Sequence, residues 1–128
     1  MTDKIALVTG AARGIGLATT NTLIAQGWRV AMVDRDVDTL RDAAAPLNAA
    51  SAFVHDVSDP DQVSEMITAV SRSFGRIDAV VNNAGVADFG PIEQADFARW
   101  RTVMQTNLDG VFLVSQAAIP ALRKTKGA

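Results

Sequence analysis

The 128-residue chain carries 12 basic and 14 acidic residues, a formal net charge of −2, and is 48% hydrophobic. That composition supports one buried core and a single domain or part of one. The basic residues are scattered except for Arg123, Lys124 and Lys126, which suit a helix C-terminus rather than a nucleic-acid footprint. Cysteine is absent, which excludes disulfides and thiolate metal sites and fits a cytoplasmic protein. The opening "MTDK" and the short apolar run after it make neither a signal peptide nor a membrane span.

The first predicted element is a buried strand, "KIALVT" at 4–9, delivered to the glycine-rich "TGAARGIG". A helix opens at those glycines and stops at Gly27, followed by a second strand, "WRVAMV" at 28–33. A weaker helix, "VDTLRDAAAPL", breaks near Pro46, and "SAFVH" at 51–55 is the third strand. The next helix carries Val63, Met66, Ile67, Val70 and Phe74 at helical spacing. Asp59 caps it, Pro60 suits its first turn, Gln62 completes a pattern like a capping box, and Gly75 ends it. "IDAVV" at 77–81 is the fourth strand. A long helix then runs from about Phe97 to Lys124, capped by Asp96 and loosened at Pro120. On it Phe97, Trp100, Met104, Asn107 and Val111 step down one face. The amide of Asn107, set in that apolar stripe, either is satisfied by neighbouring backbone or has a functional role. Strands alternating with helices at this spacing give βαβ units and an α/β, doubly wound parallel sheet.

The strand-to-helix junction at Gly10, Gly14 and Gly16 presents unpaired N–H groups and a helix dipole to an anion. Glycines permit the tight turn and let a diphosphate approach the backbone, and Arg13 is placed to add positive charge. A P-loop would need Lys-Ser/Thr after its last glycine, where this chain has Leu17 and Ala18. Asp34, about twenty residues after Gly16, ends the second strand, where a carboxylate accepts hydrogen bonds from adenosine ribose hydroxyls. The same charge repels a 2′-phosphate by about 4 kcal/mol at contact near a protein surface, which favours NAD over NADP. Arg35 beside it is the group that could receive such a phosphate instead. At the third strand's end, Asp56 can meet an adenine amino group while Val57 packs beside the ring. His55, the only histidine, has no partner cluster in the sequence and reads as structural, not as a metal ligand. "NNAG" at 82–85 ends the fourth strand, its small residues letting backbone pass close to a ribose and its asparagines tying strand ends together.

Thr9-Gly10-x-x-x-Gly14-Ile15-Gly16, Asp34, Asp56-Val57, Asn82-Asn83-Ala84-Gly85 and Asn107 together closely resemble the short-chain dehydrogenase/reductase family, in the family's order over essentially the whole chain. The resemblance implies a Rossmann-type fold and hydride transfer between NAD(P) and an alcohol or ketone. It implies that the glycine segment and Asp34 hold the adenosine half, that Asp56 and Val57 touch the adenine, and that Asn83, Ala84 and Gly85 line the cofactor. It also makes Asn107 the asparagine of a catalytic tetrad, on a locally distorted helix that holds a water.

The chain departs from the family in one respect: it contains no tyrosine. Family catalysis rests on a Ser and a Tyr-x-x-x-Lys pair, the tyrosine acting as acid/base on the substrate oxygen. Neither Ser115 nor Lys124 stands where those groups are expected. The expectation is therefore that residues 1–128 are the N-terminal part of a longer single-domain dehydrogenase, an NAD(P)-binding Rossmann domain cut before a fifth strand. A noncatalytic dinucleotide-binding module and an inactive truncated product are the alternatives. As such a half, the chain is expected to leave the fourth strand with a bare edge and the long helix with exposed apolar surface, which a homo-oligomer of the complete protein would bury.

Overall fold

The computed structural model describes residues 3–128; Met1 and Thr2 of the opening tetrapeptide lie outside the described residues. Strands β1 (Ile5–Thr9), β2 (Arg29–Asp34), β3 (Ala50–Val54) and β4 (Ala79–Val81) form, among the described residues, one parallel sheet in the order β3-β2-β1-β4. Helices α1 (Gly14–Ala25), α2 (Val37–Ala44) and α3 (Pro60–Phe74) connect them. After β4 come a 3-10 turn at Ile92–Gln94, helix α4 (Phe97–Met104), a wide π-helical turn at Gln105–Asp109, and α5 (Gly110–Thr125).

Alternation along the strands sends side chains to both faces, and both are covered. Leu7, Ala31 and Val33 point to one side, where they join Val63, Met66 and Val70 of α3 and Val114 of α5. Val8, Val30 and Met32 point to the other, against Leu17, Leu23 and Ile24 of α1 and Leu40 and Ala44 of α2. This is the doubly wound, Rossmann-type arrangement. β1 and β2 lie in its centre, and the crossing point of the strand order lies above β1.

The helix boundaries follow from local chemistry. Asp59 accepts from the N–H groups of Asp61 (2.9 Å) and Gln62 (3.3 Å), and Gly75, at φ +78°, closes α3. Gln62 does not complete the expected capping box. Its Oε1 instead accepts from the N–H of Asp56 at 2.8 Å, tying α3 to the tip of β3. Asp96 caps α4 through Ala98 N–H (2.9 Å), and Asp36 caps α2 through Thr39 N–H (3.4 Å).

The long helix runs without a break from Phe97 through Pro120 to Thr125, and the local distortion implied at Asn107 is the π-helical turn of Gln105–Asp109. The helix leaves apolar surface exposed as expected, at Phe97, Trp100 and Val111, and buries Thr106, Gly110, Val114 and Ala118. Small residues there let the helix approach the sheet: a Cβ on Gly110 would stand 2.9 Å from Cγ2 of Val57. β4 is an edge strand of the sheet, as expected, but its outer edge is not wholly bare: Val80 N–H donates to Ala128 C=O (2.9 Å) and Ala128 N–H to Asp78 C=O (3.1 Å), in the pattern of a parallel bridge.

At the amino end of the sheet Asp78 is buried, and its carboxylate accepts from Arg76 Nε (2.8 Å), Arg76 Nη2 (2.5 Å) and the N–H of Ile5 (2.9 Å). The Arg76 hydrogen bonds, then the Ile5 N–H, hold this carboxyl below the usual carboxylate range against the opposing effect of burial. An unfolded Asp has a pKa of about 3.9. The unfolded chain therefore binds more protons near that pH, and stability rises with pH there. The contribution is complete above about pH 5 and is lost as pH falls through the folded-state value. Asp78→Asn is expected to cost about 2 kcal/mol at pH 7 in urea melts, with the gap from the unsubstituted protein narrowing as the pH falls through the lowered folded-state value.

Candidate functional site

The carboxyl ends of β1 and β4 are joined by a compact set of hydrogen bonds. The Thr9 hydroxyl accepts from the N–H groups of Asn83 and Ala84, both at 3.0 Å. The Asn83 amide donates back to the carbonyls of Thr9 (3.1 Å) and Gly10 (3.2 Å). The backbones are too close for a side chain between them: a Cβ on Gly10, at φ +64°, would lie 2.8 Å from Cα of Ala84. A Cβ on Gly16 would lie 2.1 Å from the Gly10 carbonyl oxygen, so the first turn of α1 sits directly on the turn that precedes it. Gly14 differs, with φ +56° and nothing within 4 Å of its Cβ position. Arg13 precedes α1 without a side-chain capping bond, and the first-turn N–H groups have no carbonyl a turn earlier to receive them.

Two adjoining cavities open above this junction. The larger, about 400 Å³, is lined by Gly10, Arg13, Ile15, Asp34, Arg35, Asp36, Asn83, Gly85 and Val86. The smaller, about 80 Å³, continues from Gly10, Asp34 and Arg35 to His55, Asp56, Val57, Ala84, Gly85, Val86 and Thr106. Asp34 is fixed by the N–H of Ala12 on Oδ2 (3.2 Å) and of Asp36 on Oδ1 (3.1 Å). Each oxygen keeps a lone pair for a further donor. The Asp36 carboxyl is held below the usual carboxylate range, first by Thr39 and then by the guanidinium of Arg13, with which it pairs. Asp56 Oδ1 accepts from the N–H (2.9 Å) and hydroxyl (2.7 Å) of Ser58. His55 lines the smaller cavity, and its Nδ1 is buried without a hydrogen-bond partner.

Opposite the glycines, the Asn107 amide clasps one peptide unit. Its Oδ1 accepts from Val86 N–H and its Nδ2 donates to Val86 C=O, both at 2.8 Å. A backbone partner for this amide was one of the readings open in the sequence. The π-helical turn carries Asn107 past Gly85, whose Cβ position is 3.4 Å from Asn107 Oδ1. Asp88 is held by Arg99 of α4, so the chain after β4 is pinned twice.

Of the residues singled out in the sequence, Gly10, Arg13, Ile15, Asp34, Arg35, Asp56, Val57, Asn83, Ala84 and Gly85 line the two cavities. Gly14, Gly16 and Asn107 do not line them: Gly16 lies beneath Gly10, and Asn107 acts on the lining through Val86. Arg13 spends its guanidinium on Asp36. Sequence reasoning missed Asp36, Val86 and Thr106 as lining of the cavities. The four-residue spacing of Thr106, Gly110, Val114 and Ala118 was the available signal for Thr106. Chemically, the cleft offers uncapped N–H groups for an anion at one end and carboxylate acceptors for hydroxyl or amino donors at the other.

Residues 4–128 match the family model described as short chain dehydrogenase. The trans-4-hydroxycyclohexanecarboxylate dehydrogenase of Sinomonas cyclohexanicum is 36% identical, over 98% of this chain and 52% of that protein. The D-threitol dehydrogenase of Mycolicibacterium smegmatis is 42% identical over 89% of this chain and 45% of its own length. Among solved structures, the 3-ketoacyl-(acyl-carrier-protein) reductase of Brucella melitensis complexed with NADH superposes with a TM-score of 0.92 at 30% identity, over 94% of this chain and 50% of that one. The alcohol dehydrogenase of Thermococcus sibiricus complexed with 5-hydroxy-NADP gives 0.93 at 33%, over 98% and 56%. The chain thus spans about half the length of the curated relatives it matches.

Gly16 and Gly14 separate the two reasons for glycine. Gly16→Ala must displace backbone and is expected to cost about 3 kcal/mol or prevent folding. Gly14→Ala meets open space and carries only the left-handed backbone cost of about 1 kcal/mol. Urea melts of the two variants read the difference, and equal losses would contradict this account of the junction.

Proposed function

The chain belongs to the short chain dehydrogenase family, and on that premise we propose that it holds the adenosine and diphosphate portion of a nicotinamide dinucleotide, NAD in preference to NADP. The protein it forms or contributes to is then an oxidoreductase moving a hydride between that cofactor and a small alcohol or ketone. The observation that carries this reading is the meeting of Gly10 and Asp34 on one cavity, beside an α1 start that no side chain caps. The residues fit the group: open space lies over Gly14, Ile15 is exposed at the helix start, and the carboxylates of Asp34 and Asp56 sit at neighbouring strand ends. When bound, the dinucleotide supplies the hydride donor or acceptor.

In this reading the N–H groups of Gly14, Ile15 and Gly16 bind the diphosphate, with the helix dipole behind them. Asp34 accepts from the adenosine ribose hydroxyls, and Asp56 and Val57 hold the adenine through its amino group and its face. The backbone of Asn83, Ala84 and Gly85 forms the far wall. Asn107 orients that wall by clasping Val86, and we assign it the place of the family's catalytic asparagine, with the π-helical turn loosening the carbonyls around it. No tyrosine is present to exchange the proton of the substrate hydroxyl, so residues 1–128 by themselves are proposed to bind and not to turn over. That composition also favours the second reading, a noncatalytic dinucleotide-binding module.

The exposed Phe97, Trp100, Val111 and Phe112 support burial of this helical face in a homo-oligomer of the complete protein. The cytoplasm is the proposed setting, on the cysteine-free composition. No described helix is long and apolar enough to cross a membrane.

Titrating the chain with NADH while following the fluorescence of Trp28 and Trp100 is expected to give a saturable change. Asp34→Ala is expected to weaken NADH binding about tenfold and to narrow the gap from NADPH, since hydrogen bonds to a charged group contribute about 1.5–3 kcal/mol. No saturation at millimolar NADH would overturn the reading.

A further inference from the structure

The rim of the larger cavity holds two acids and two bases: Arg13, Asp34, Arg35 and Asp36. They are not equivalent. Arg13 stands just before α1 and Asp36 just before α2, and the Arg13 guanidinium donates to Asp36 Oδ2. Asp36 also caps α2 with Oδ1, and its N–H donates to Asp34 Oδ1 at 3.1 Å. One side chain thus sets the start of α2, holds Arg13, and lies one hydrogen bond from the carboxylate proposed to receive the ribose.

The geometry points to Asp36 as a specificity-determining residue of this cleft: by pairing with Arg13 it withholds the guanidinium that would otherwise accept the 2′-phosphate of an NADP-type dinucleotide. The inference rests on the dinucleotide reading given above and deepens it. An Arg near the ribose is what such a phosphate requires. Arg13 is already committed to an anion, so a 2′-phosphate must either break that pair or rely on Arg35 alone, beside the charges of Asp34 and Asp36. Asp36 is ionised at neutral pH as an ordinary carboxylate is, and the Thr39 and Arg13 hydrogen bonds favour that form. The pair is solvent-accessible, with the two side chains 65% and 42% exposed, and a competing phosphate can therefore reach it. Discrimination of this kind is moderate and salt-sensitive. It differs from the role given to Asp34, because Asp36 acts on the phosphate through Arg13 and makes no demand on the ribose hydroxyls.

The test is a thermodynamic cycle on the full chain with NADH and NADPH as probes. Asp36→Asn keeps an oxygen for the Thr39 N–H and removes the charge that holds Arg13. It is expected to tighten NADPH binding about tenfold, to change NADH binding far less, and to leave the melting temperature close to that of the unsubstituted chain. The gain is expected to vanish in the Asp36→Asn/Arg13→Ala double variant and to shrink at 0.5 M salt, roughly the range where screening shortens to a few ångströms. An unchanged NADPH-to-NADH ratio in Asp36→Asn overturns the inference while the dinucleotide reading stands. So does a gain that survives loss of Arg13. Failure of the unsubstituted chain to bind either nucleotide would remove the reading and the inference together.

Discussion

The contact between the ends of β1 and β4 fixes the rest of the cleft. Four hydrogen bonds cross it, two from the N–H groups of Asn83 and Ala84 onto the Thr9 hydroxyl and two from the Asn83 amide onto the carbonyls of Thr9 and Gly10. Each contributes about 1 kcal/mol net, but a lost partner would strand donors that are partly buried. This junction sets the height of Gly10, and Gly10 sets the first turn of α1, which has no room to shift because Gly16 rests on the Gly10 carbonyl. It also fixes where Ala84 leaves the sheet, and so where the opposite wall begins. The cleft width therefore follows from strand pairing and backbone contact, with no contribution needed from a long side chain.

Parts of this were legible because they are local. Asp59, Pro60 and Gly75 bound α3 through chemistry contained within a turn of the helix, and Asp96 starts α4 in the same way. Gly10 and Gly14 mark backbone turned to positive φ, which the sequence spacing announces. Other parts were not legible, since they depend on how elements approach one another. The larger apolar residues of α4 step down one face in the sequence, but which face the sheet covers is not written in that spacing, and Phe97 and Trp100 stack on each other at 5.8 Å in the open. The closeness of Val57 to α5 demanded Gly110, so the buried face is the one with small residues. Pairings such as Arg13 with Asp36 and Asn107 with Val86 join positions far apart in sequence, and no periodicity encodes them.

The asymmetry of α4 and α5 has an energetic reading. A helix pair that turns Val114 and Ala118 inward but leaves Leu108, Phe112 and Ile119 outward has satisfied only one of two apolar faces. Exposed side chains of that size mark a surface whose apolar area water solvates poorly.

Three aspartates show how one side chain serves opposite ends of the same sheet. Asp78, at the amino end, is buried with both oxygens committed, two bonds from Arg76 and one from the Ile5 N–H, so it has nothing to offer a ligand and contributes only stability. Asp34 and Asp56, at the carboxyl ends of β2 and β3, are half-buried and held by neutral donors, Ala12 and Asp36 N–H for one and Ser58 for the other. Among the described residues no guanidinium or ammonium pairs with either. Their charge is therefore fixed in direction but not neutralised. A carboxylate in that state favours a ligand that brings hydroxyl or amino donors over one that brings a second anion. Of the two cations on the rim, Arg13 is directed to Asp36 and only Arg35 makes no ion pair among the described residues, so the sorting of charges, as much as the shape of the cleft, limits the rim's attraction for a second anion.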